Sequence, residues 1–175
     1  MEFWGYALLI RSEPSEDRQA IAAIHTEAFG RPDEAALVAA LRGLAEPTLS
    51  LVAEADSRVV GHILFTPVTI RSATSSSPAL ALAPLAVLSA HQGSGIGSDL
   101  VRSGLDACRG LSRSVVFVLG NPKFYARFGF EPAAPRGLRY RTSMLDAAFQ
   151  VAELEPGALG NRAGDVEYLS PFDSV

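Results

Sequence analysis

The sequence predicts a mixed α/β domain with the element order β-α-α-β-β-β-α-β-α-β-β. Three observations carry that expectation. Residues 49–55, 80–88 and 115–119 are short aliphatic runs with the length and β-branched content of buried strands. Residues 95–109 instead repeat apolar side chains at helical spacing, with Ile96, Leu100, Val101, Leu105 and Cys108 on one face. The unit from Leu80 to Leu119, strand then loop then helix then strand, is long enough for a right-handed parallel crossover, so the central sheet should be mixed.

The other elements follow in order. Residues 1–11 are apolar, but they open with an acid, lack a basic leader and are too short to span a bilayer, so they read as a first strand with a ragged lead-in. Ser12 to Asp17 is a cluster of capping residues and acids announcing a helix, along which Ile21, Ile24, Ala28 and Phe29 recur. Gly30-Arg31-Pro32 breaks it, and Asp33-Glu34 starts a second helix with Leu37, Val38, Leu41 and Leu44 on one side. Residues 49–55 and 58–70 flank Asp56-Ser57 as a hairpin, and the serine-rich stretch 71–78 reads as a surface loop. Pro84 marks an irregularity within the strand 80–88. Gly110 stops the long helix, residues 122–128 form a brief helix ended by Gly129, and 149–154 and 166–169 are final strands around the turn Pro156-Gly157.

Composition narrows the function. At 175 residues, 48% hydrophobic and 19% charged, the chain fits one domain, residues 1–175, with its own core. A net charge of −4 without any basic run argues against nucleic acid, which needs clustered Lys and Arg. The longest apolar stretch, residues 78–90, is shorter than the ~20 residues of a membrane helix, so no membrane partner is expected. Cys108 is the lone cysteine, which excludes an internal disulfide or a multi-cysteine zinc site and suits a reducing, cytoplasmic setting. No metal site is expected.

The informative stretch is Gln92-Gly93-Ser94-Gly95-Ile96-Gly97-Ser98, between a buried strand and a helix. Glycines admit tight turns and close ligand approach, and the free N–H groups of a first helical turn converge on one point with the helix dipole behind them. Such a loop favours a phosphate. A P-loop needs a Gly-Lys-Ser/Thr that is absent here, and a dinucleotide fingerprint would put its third glycine on Ser98 and an acid near Val115-Val116-Phe117, where there is none. A loop Q/R-x-x-G-x-G/A is matched by Gln92, Gly95 and Gly97 at every defined position.

On that loop, on Leu85-Ala86-Val87 before it and on Asn121-Pro122-Lys123-Phe124-Tyr125-Ala126-Arg127-Phe128-Gly129-Phe130 after it, the chain resembles the GNAT superfamily of N-acyltransferases over residues 10–130. Leu119-Gly120-Asn121 and Arg127-Phe128-Gly129-Phe130 resemble its YhbS-like subgroup. The resemblance implies a GNAT fold, acetyl-CoA as co-substrate, and direct acetyl transfer to a primary amine, on a small molecule or a peptide, in a ternary complex; a homodimer is compatible with it. By resemblance, backbone groups of Leu85, Ala86 and Val87 would pair with the pantetheine arm, with the Val87 N–H near the thioester oxygen. Amides of Gly93, Ser94, Gly95, Ile96, Gly97 and Ser98, beside Gln92, would take the pyrophosphate. Tyr125 would protonate the leaving thiolate, a role open to a phenol whose pKa is about 10. Asn121 would contact the cofactor arm, or else only cap its helix.

The general base is open, because the strand 115–119 has no ionisable group; His25, His62, Glu54 and Glu27 are the candidates. Spacing favours packing for His25, His91 could cap or touch phosphate, and Cys108 belongs to the core. Two other readings compete with the enzyme: a non-catalytic acyl-CoA sensor, and a nucleotide-dependent oxidoreductase.

Overall fold

The computed structural model describes residues 7–44 and 49–175. The expected lead-in, residues 1–6, lies outside them. Chain order is β1 (Leu8–Ser12), α1 (Arg18–Phe29), α2 (Asp33–Arg42), β2 (Leu49–Ala55), β3 (Arg58–Arg71), β4 (Ser76–Val87), α3 (Ile96–Gly110), β5 (Val115–Leu119), α4 (Pro122–Tyr125), β6 (Glu131–Pro132), β7 (Leu138–Arg139), β8 (Phe149–Glu153) and β9 (Gly164–Glu167). The strands form one sheet in the order β1-β2-β3-β4-β5-β8-β6, with β9 pairing the far end of β3 and also β7. β4 and β5 are parallel across the α3 crossover, as the spacing predicts, and so are β7 and β9.

Several expectations need correction. The serine-rich stretch is not all loop: β4 begins at Ser76, opposite Arg71, because β3 runs on as a long hairpin arm and its backbone partners recruit polar residues to the ladder. Ser12 to Asp17 supplies no side-chain cap to α1; Asp17 instead lies 2.6 Å from Arg11, so its carboxylate ties the helix start to β1. The two-residue strands β6 and β7 carry no period that a sequence reading could detect. Leu44 is 37% exposed rather than core. The hairpin at Asp56-Ser57 holds, with both residues at positive φ (48° and 60°), as a two-residue turn between twisted strands requires.

Core packing covers both faces of the sheet. Leu100, Val101, Leu105 and Cys108 of α3 meet Phe65, Val116 and Val118 on one face. On the other, Ile21 of α1 and Leu37, Val38 and Leu41 of α2 meet Val52 and Leu64. A third cluster around Phe117, Phe149 and Val151 receives Leu138 and Leu159 from the C-terminal segments. Gly104 sets the closeness of α3, since a Cβ there would lie 2.6 Å from Cζ of the fully buried Phe65.

A polar chain runs under α1. Glu13 pairs with Arg42 at 2.6 Å and accepts the Ser50 hydroxyl proton. Ser50 Oγ is 2.8 Å from His62 Nε2, and His62 Nδ1 is 2.7 Å from His25 Nε2. Because the Ser50 proton is committed to the carboxylate, Ser50 must accept from His62 Nε2–H, and His62 Nδ1 must then accept from His25 Nε2–H. His25 Nδ1 is left as a bare, buried lone pair without a partner among the described residues. Burial first, and then the charges of His62 and Arg42, push the His25 pKa down to about 3. Burial likewise lowers that of His62, with Glu13 opposing. Burial disfavours the charged form of Glu13, but its bonds to His62, Ser50 and Arg42 outweigh that cost and hold its pKa at about 2.

Both histidines are neutral when folded but titrate near 6.5 when unfolded, so the unfolded chain binds more protons as pH falls. Their stabilisation is complete above about pH 6.5 and declines towards pH 3, and Glu13 adds a second loss between about 4.5 and 2. Urea unfolding across pH 4.5–8 should show that slope, and His25→Leu with His62→Leu should flatten it whatever its effect on absolute stability. Gly104→Ala should cost about 1–3 kcal/mol by overpacking against Phe65, readable as a shifted urea midpoint at constant slope.

Candidate active site

The site starts from a fault in β4. Between the pairs Phe65 with Leu82 and Ile63 with Leu85, β4 advances one residue more than β3, a bulge at Ala83-Pro84 where the sequence predicts an irregularity. The ladder from β4 to β5 is short, pairing Leu80 with Val116, Ala81 with Phe117 and Leu82 with Val118. Beyond Leu82 the two parallel strands separate, and the β5-facing edge of β4 has no strand partner among the described residues. Leu88 N–H donates to Val60 O at 2.9 Å, so Gly61 and Val87 form a non-hydrogen-bonded pair. The Val87 N–H and C=O therefore face the opening, as do those of Leu85 two residues earlier, whereas Ala86 turns its backbone towards His62. Of the three residues expected to offer backbone groups, Leu85 and Val87 direct theirs to the opening and Ala86 directs its own to β3.

The edge leads directly into the glycine loop. Gln92 Nε2 donates to Val87 O at 2.9 Å, and the Ser94 hydroxyl donates to His91 O, so the loop is braced by its own side chains. Gly93 and Gly95 have φ of 74° and 92°, which L side chains rarely adopt. Gly97 is ordinary helix, with space for a Cβ 3.8 Å from Val87 and 3.9 Å from Phe124. The first intrahelical bond of α3 is Asp99 N–H to Gly95 O at 3.0 Å. The N–H groups of Ile96, Gly97 and Ser98 precede it and point out of the helix end, a ready anion site. Arg127 stands beside them: its Nη2 donates to Ser98 Oγ at 3.1 Å, and its guanidinium lies 4.8 Å from the Phe124 ring centroid. The sequence reading required no basic side chain at this loop, and only the fold brings Arg127 to it.

Tyr125 occupies the other wall. Gly120 makes room for its ring, since a Cβ there would lie 2.6 Å from Tyr125 Cε2, and Gln150 fixes the Gly120 carbonyl at 3.2 Å. Burial alone pushes the Tyr125 pKa up to about 12, so the phenol is protonated at neutral pH. Asn121 Oδ1 accepts from Lys123 N–H at 2.9 Å and thereby caps α4, the simpler of its two expected roles. Between the separated strands, the ends of α1 and α2, and the C-terminal segments lies a cavity of about 590 Å³, lined in part by Leu85, Asn121 and Tyr125.

None of the four candidate bases lines this cavity. His25 and His62 are fully buried in the polar chain beneath α1, Glu54 is bound to Arg11, and Glu27 accepts the Ser89 N–H at 3.0 Å. Cys108 is core as expected, its thiol pushed up to about 12 by burial. Glu34 does line the cavity, and it is the only carboxylate side chain to do so among the described residues. Its place at the start of α2 reads in sequence only as a helix signal. Among the described residues no group of His, Cys, Asp and Glu could hold a metal ion, and no helix is long and apolar enough to cross a membrane.

Comparison with known proteins identifies the family of the fold that carries this geometry. A profile described as the acetyltransferase (GNAT) domain matches residues 10–133. The N-acetyltransferase YhbS of Escherichia coli K12 is 38% identical over 167 residues, covering 95% of this chain and 99% of that protein. YjhQ of the same organism is 44% identical over 126 residues, covering 71% of this chain and 67% of its own. The crystal structure of Escherichia coli YhbS in complex with CoA superposes with a TM-score of 0.91 at 37% identity, covering 99% of this chain and 96% of that one. That of a Brucella melitensis GNAT acetyltransferase in complex with acetyl-CoA gives 0.79 at 35%, covering 96% and 99%. The open β4 edge, the glycine loop at the α3 N-terminus and Tyr125 are thus set on the scaffold of an acyltransferase, and the chain belongs to the GNAT family of N-acetyltransferases.

Proposed function

We propose that the chain, as a single domain, binds acetyl-CoA and transfers its acetyl group directly to a primary amine within a ternary complex. The observation that carries this reading is the continuity of the Leu85 and Val87 edge, which has no strand partner on the β5 side among the described residues, with the open N-terminus of α3. An extended pantetheine arm would complete the edge as an added strand does, and the pyrophosphate would meet the N–H groups of Ile96, Gly97 and Ser98 with Arg127 alongside. The complexes of the two relatives with CoA and acetyl-CoA support the same choice of co-substrate. Acetyl-CoA is an intracellular metabolite, and a cytoplasmic setting belongs to this reading.

In the transfer, the amine nitrogen forms a bond to the thioester carbonyl carbon while negative charge gathers on the carbonyl oxygen. The Val87 N–H, facing the opening, would stabilise that charge. As the carbon–sulfur bond breaks, the sulfur keeps the electron pair and takes the Tyr125 hydroxyl proton; the proton lost by the amine restores Tyr125 through solvent. No enzyme nucleophile is required, in keeping with a buried Cys108. A non-catalytic acyl-CoA sensor is the second reading, favoured by the lack of any ionisable group along β5, and turnover with any amine decides against it.

CoA should bind with a dissociation constant on the order of micromolar, in the ordinary range for such substrates, and a nicotinamide dinucleotide should give no heat. Gly97→Ala should fold and bind, because space exists for its Cβ, whereas Gly97→Glu should fold but lose about 100-fold or more in CoA affinity by placing a carboxylate at the anion site. Equal calorimetric affinity for both variants would put the ligand elsewhere. Tyr125→Phe should keep CoA affinity within about twofold while single-turnover acetylation falls by roughly 10²- to 10⁴-fold, the usual loss for a proton-transfer group. Unchanged single-turnover rates at every pH would remove Tyr125 from the mechanism.

A further inference from the structure

The walls of the 590 Å³ cavity carry information about its occupant. Phe29 comes from the end of α1, Phe124 and Tyr125 from α4, and Tyr140, Tyr168 and Phe172 from the C-terminal segments. These rings line the cavity as two groups and a separate ring: Tyr140 and Tyr168 have centroids 4.4 Å apart and Tyr168 and Phe172 5.0 Å, Phe124 and Tyr125 are 4.9 Å apart, and Phe29 stacks on His25. Phe29 is 44% exposed and lines the cavity. Such a wall suits a flat apolar body, which can stack on it or meet it edge to face.

The charges narrow the occupant further. Glu34 is the one carboxylate side chain among the described lining residues, with only 10% of its side chain exposed. Its partner Arg31 engages both carboxylate oxygens, Nη2 to Oε1 at 2.6 Å and Nε to Oε2 at 3.3 Å, but is 53% exposed and also lies 3.4 Å from Asp33, so an ammonium that took Glu34 would displace an exposed guanidinium that keeps a carboxylate neighbour. The other lining cation, Arg141, is already committed, donating to Phe172 O at 2.6 Å and to Asp173 at 3.2 Å while lying 5.0 Å from the Tyr140 ring centroid. An amino-acid carboxylate would have to take its guanidinium fork from an existing partner, Arg31 from Glu34 or Arg141 from the C-terminal segment, and would set its negative charge beside Glu34. A polyamine would bring several positive charges to a cavity with two arginines and a single carboxylate side chain. A simple amine, with a pKa of about 10, arrives as one ammonium ion and needs one anion.

We propose that the acceptor is a singly charged primary amine joined by a short alkyl chain to an aromatic body, the body resting on the aromatic wall and the ammonium guided by Glu34. The inference rests on the acetyl-transfer reading above. Glu34 acts here as a specificity residue that receives the cation before the amine is deprotonated for attack.

The test measures thiol release by the full chain with 2-phenylethylamine, spermidine and L-lysine at fixed acetyl-CoA. The expected kcat/KM for 2-phenylethylamine exceeds that of each of the others by roughly 10²-fold, a discrimination of the size that pocket contacts supply. Glu34→Gln should raise the KM for 2-phenylethylamine about 10-fold and leave the KM for acetyl-CoA unchanged, the mark of a lost ground-state contact to the amine alone. Preference for spermidine or L-lysine, or an unchanged amine KM in Glu34→Gln, overturns the inference and leaves acetyl transfer standing. If CoA binds but no amine of a broad panel is acetylated, both the transfer reading and this inference fail. The wild-type comparison holds even should the variant fold poorly.

Discussion

The site depends on one strand's failure to keep two ladders. β4 pairs with β3 along nearly its whole length, yet meets β5 at only three positions before the bulge at Ala83-Pro84 turns it away. A proline lacks the N–H that a central strand must donate, so the residue type and the break coincide. Past that point the backbone groups of Leu85 and Val87 have no strand partner on the β5 side among the described residues. Unpaired backbone in a sheet interior is costly unless something completes it. The opening so formed is also where the α3 N-terminus, α4 and the cavity meet, so fault and site are one feature.

The opposite side of the same strand is held firmly. Ala86 turns its backbone towards His62, whose ring is fixed by Ser50 and Glu13 on one side and by His25 on the other. That chain joins β2, β3 and α1, and through Arg42 it reaches α2. Burial keeps both imidazoles neutral, which favours a network with defined tautomers over a set of exchanging ion pairs. His25 sits one turn before Phe29 on α1, so the chain ties the cavity end of α1 to the sheet, while Arg42 ties the far end of α2, away from Glu34. A rigid back supports an open front.

The proposed anion site and acceptor cavity would draw on different physics within a short distance. At the loop, attraction comes from amide groups that the glycines expose and from a guanidinium packed over Phe124. Within the cavity, apolar surface dominates and one carboxylate carries the negative charge among the described lining side chains. The first suits a highly charged, invariant group; the second discriminates by shape and by the number of charges.

How much of this was legible in the sequence depends on the range of each interaction. The glycine loop, the helical stripe of α3, the hairpin at Asp56-Ser57 and the irregularity at Pro84 are local demands on dihedral angle or periodicity, and each stands in the residues themselves. The family resemblance rests on the same glycine loop, with Leu85-Ala86-Val87 before it and residues 121–130 after it. What only the tertiary structure decided involves partners distant in the chain. His25 and His62, separated by 37 residues, meet through the packing of α1 on the sheet, and Arg127 reaches Ser98 across 29. β6 and β7 exist only because longer strands offer them an edge. Glu34 signals a helix start in sequence and becomes a cavity carboxylate only when α2 is set beside the opened strand. Local rules fix the conformation of a residue, whereas its neighbours in space follow from how the whole chain buries its apolar surface.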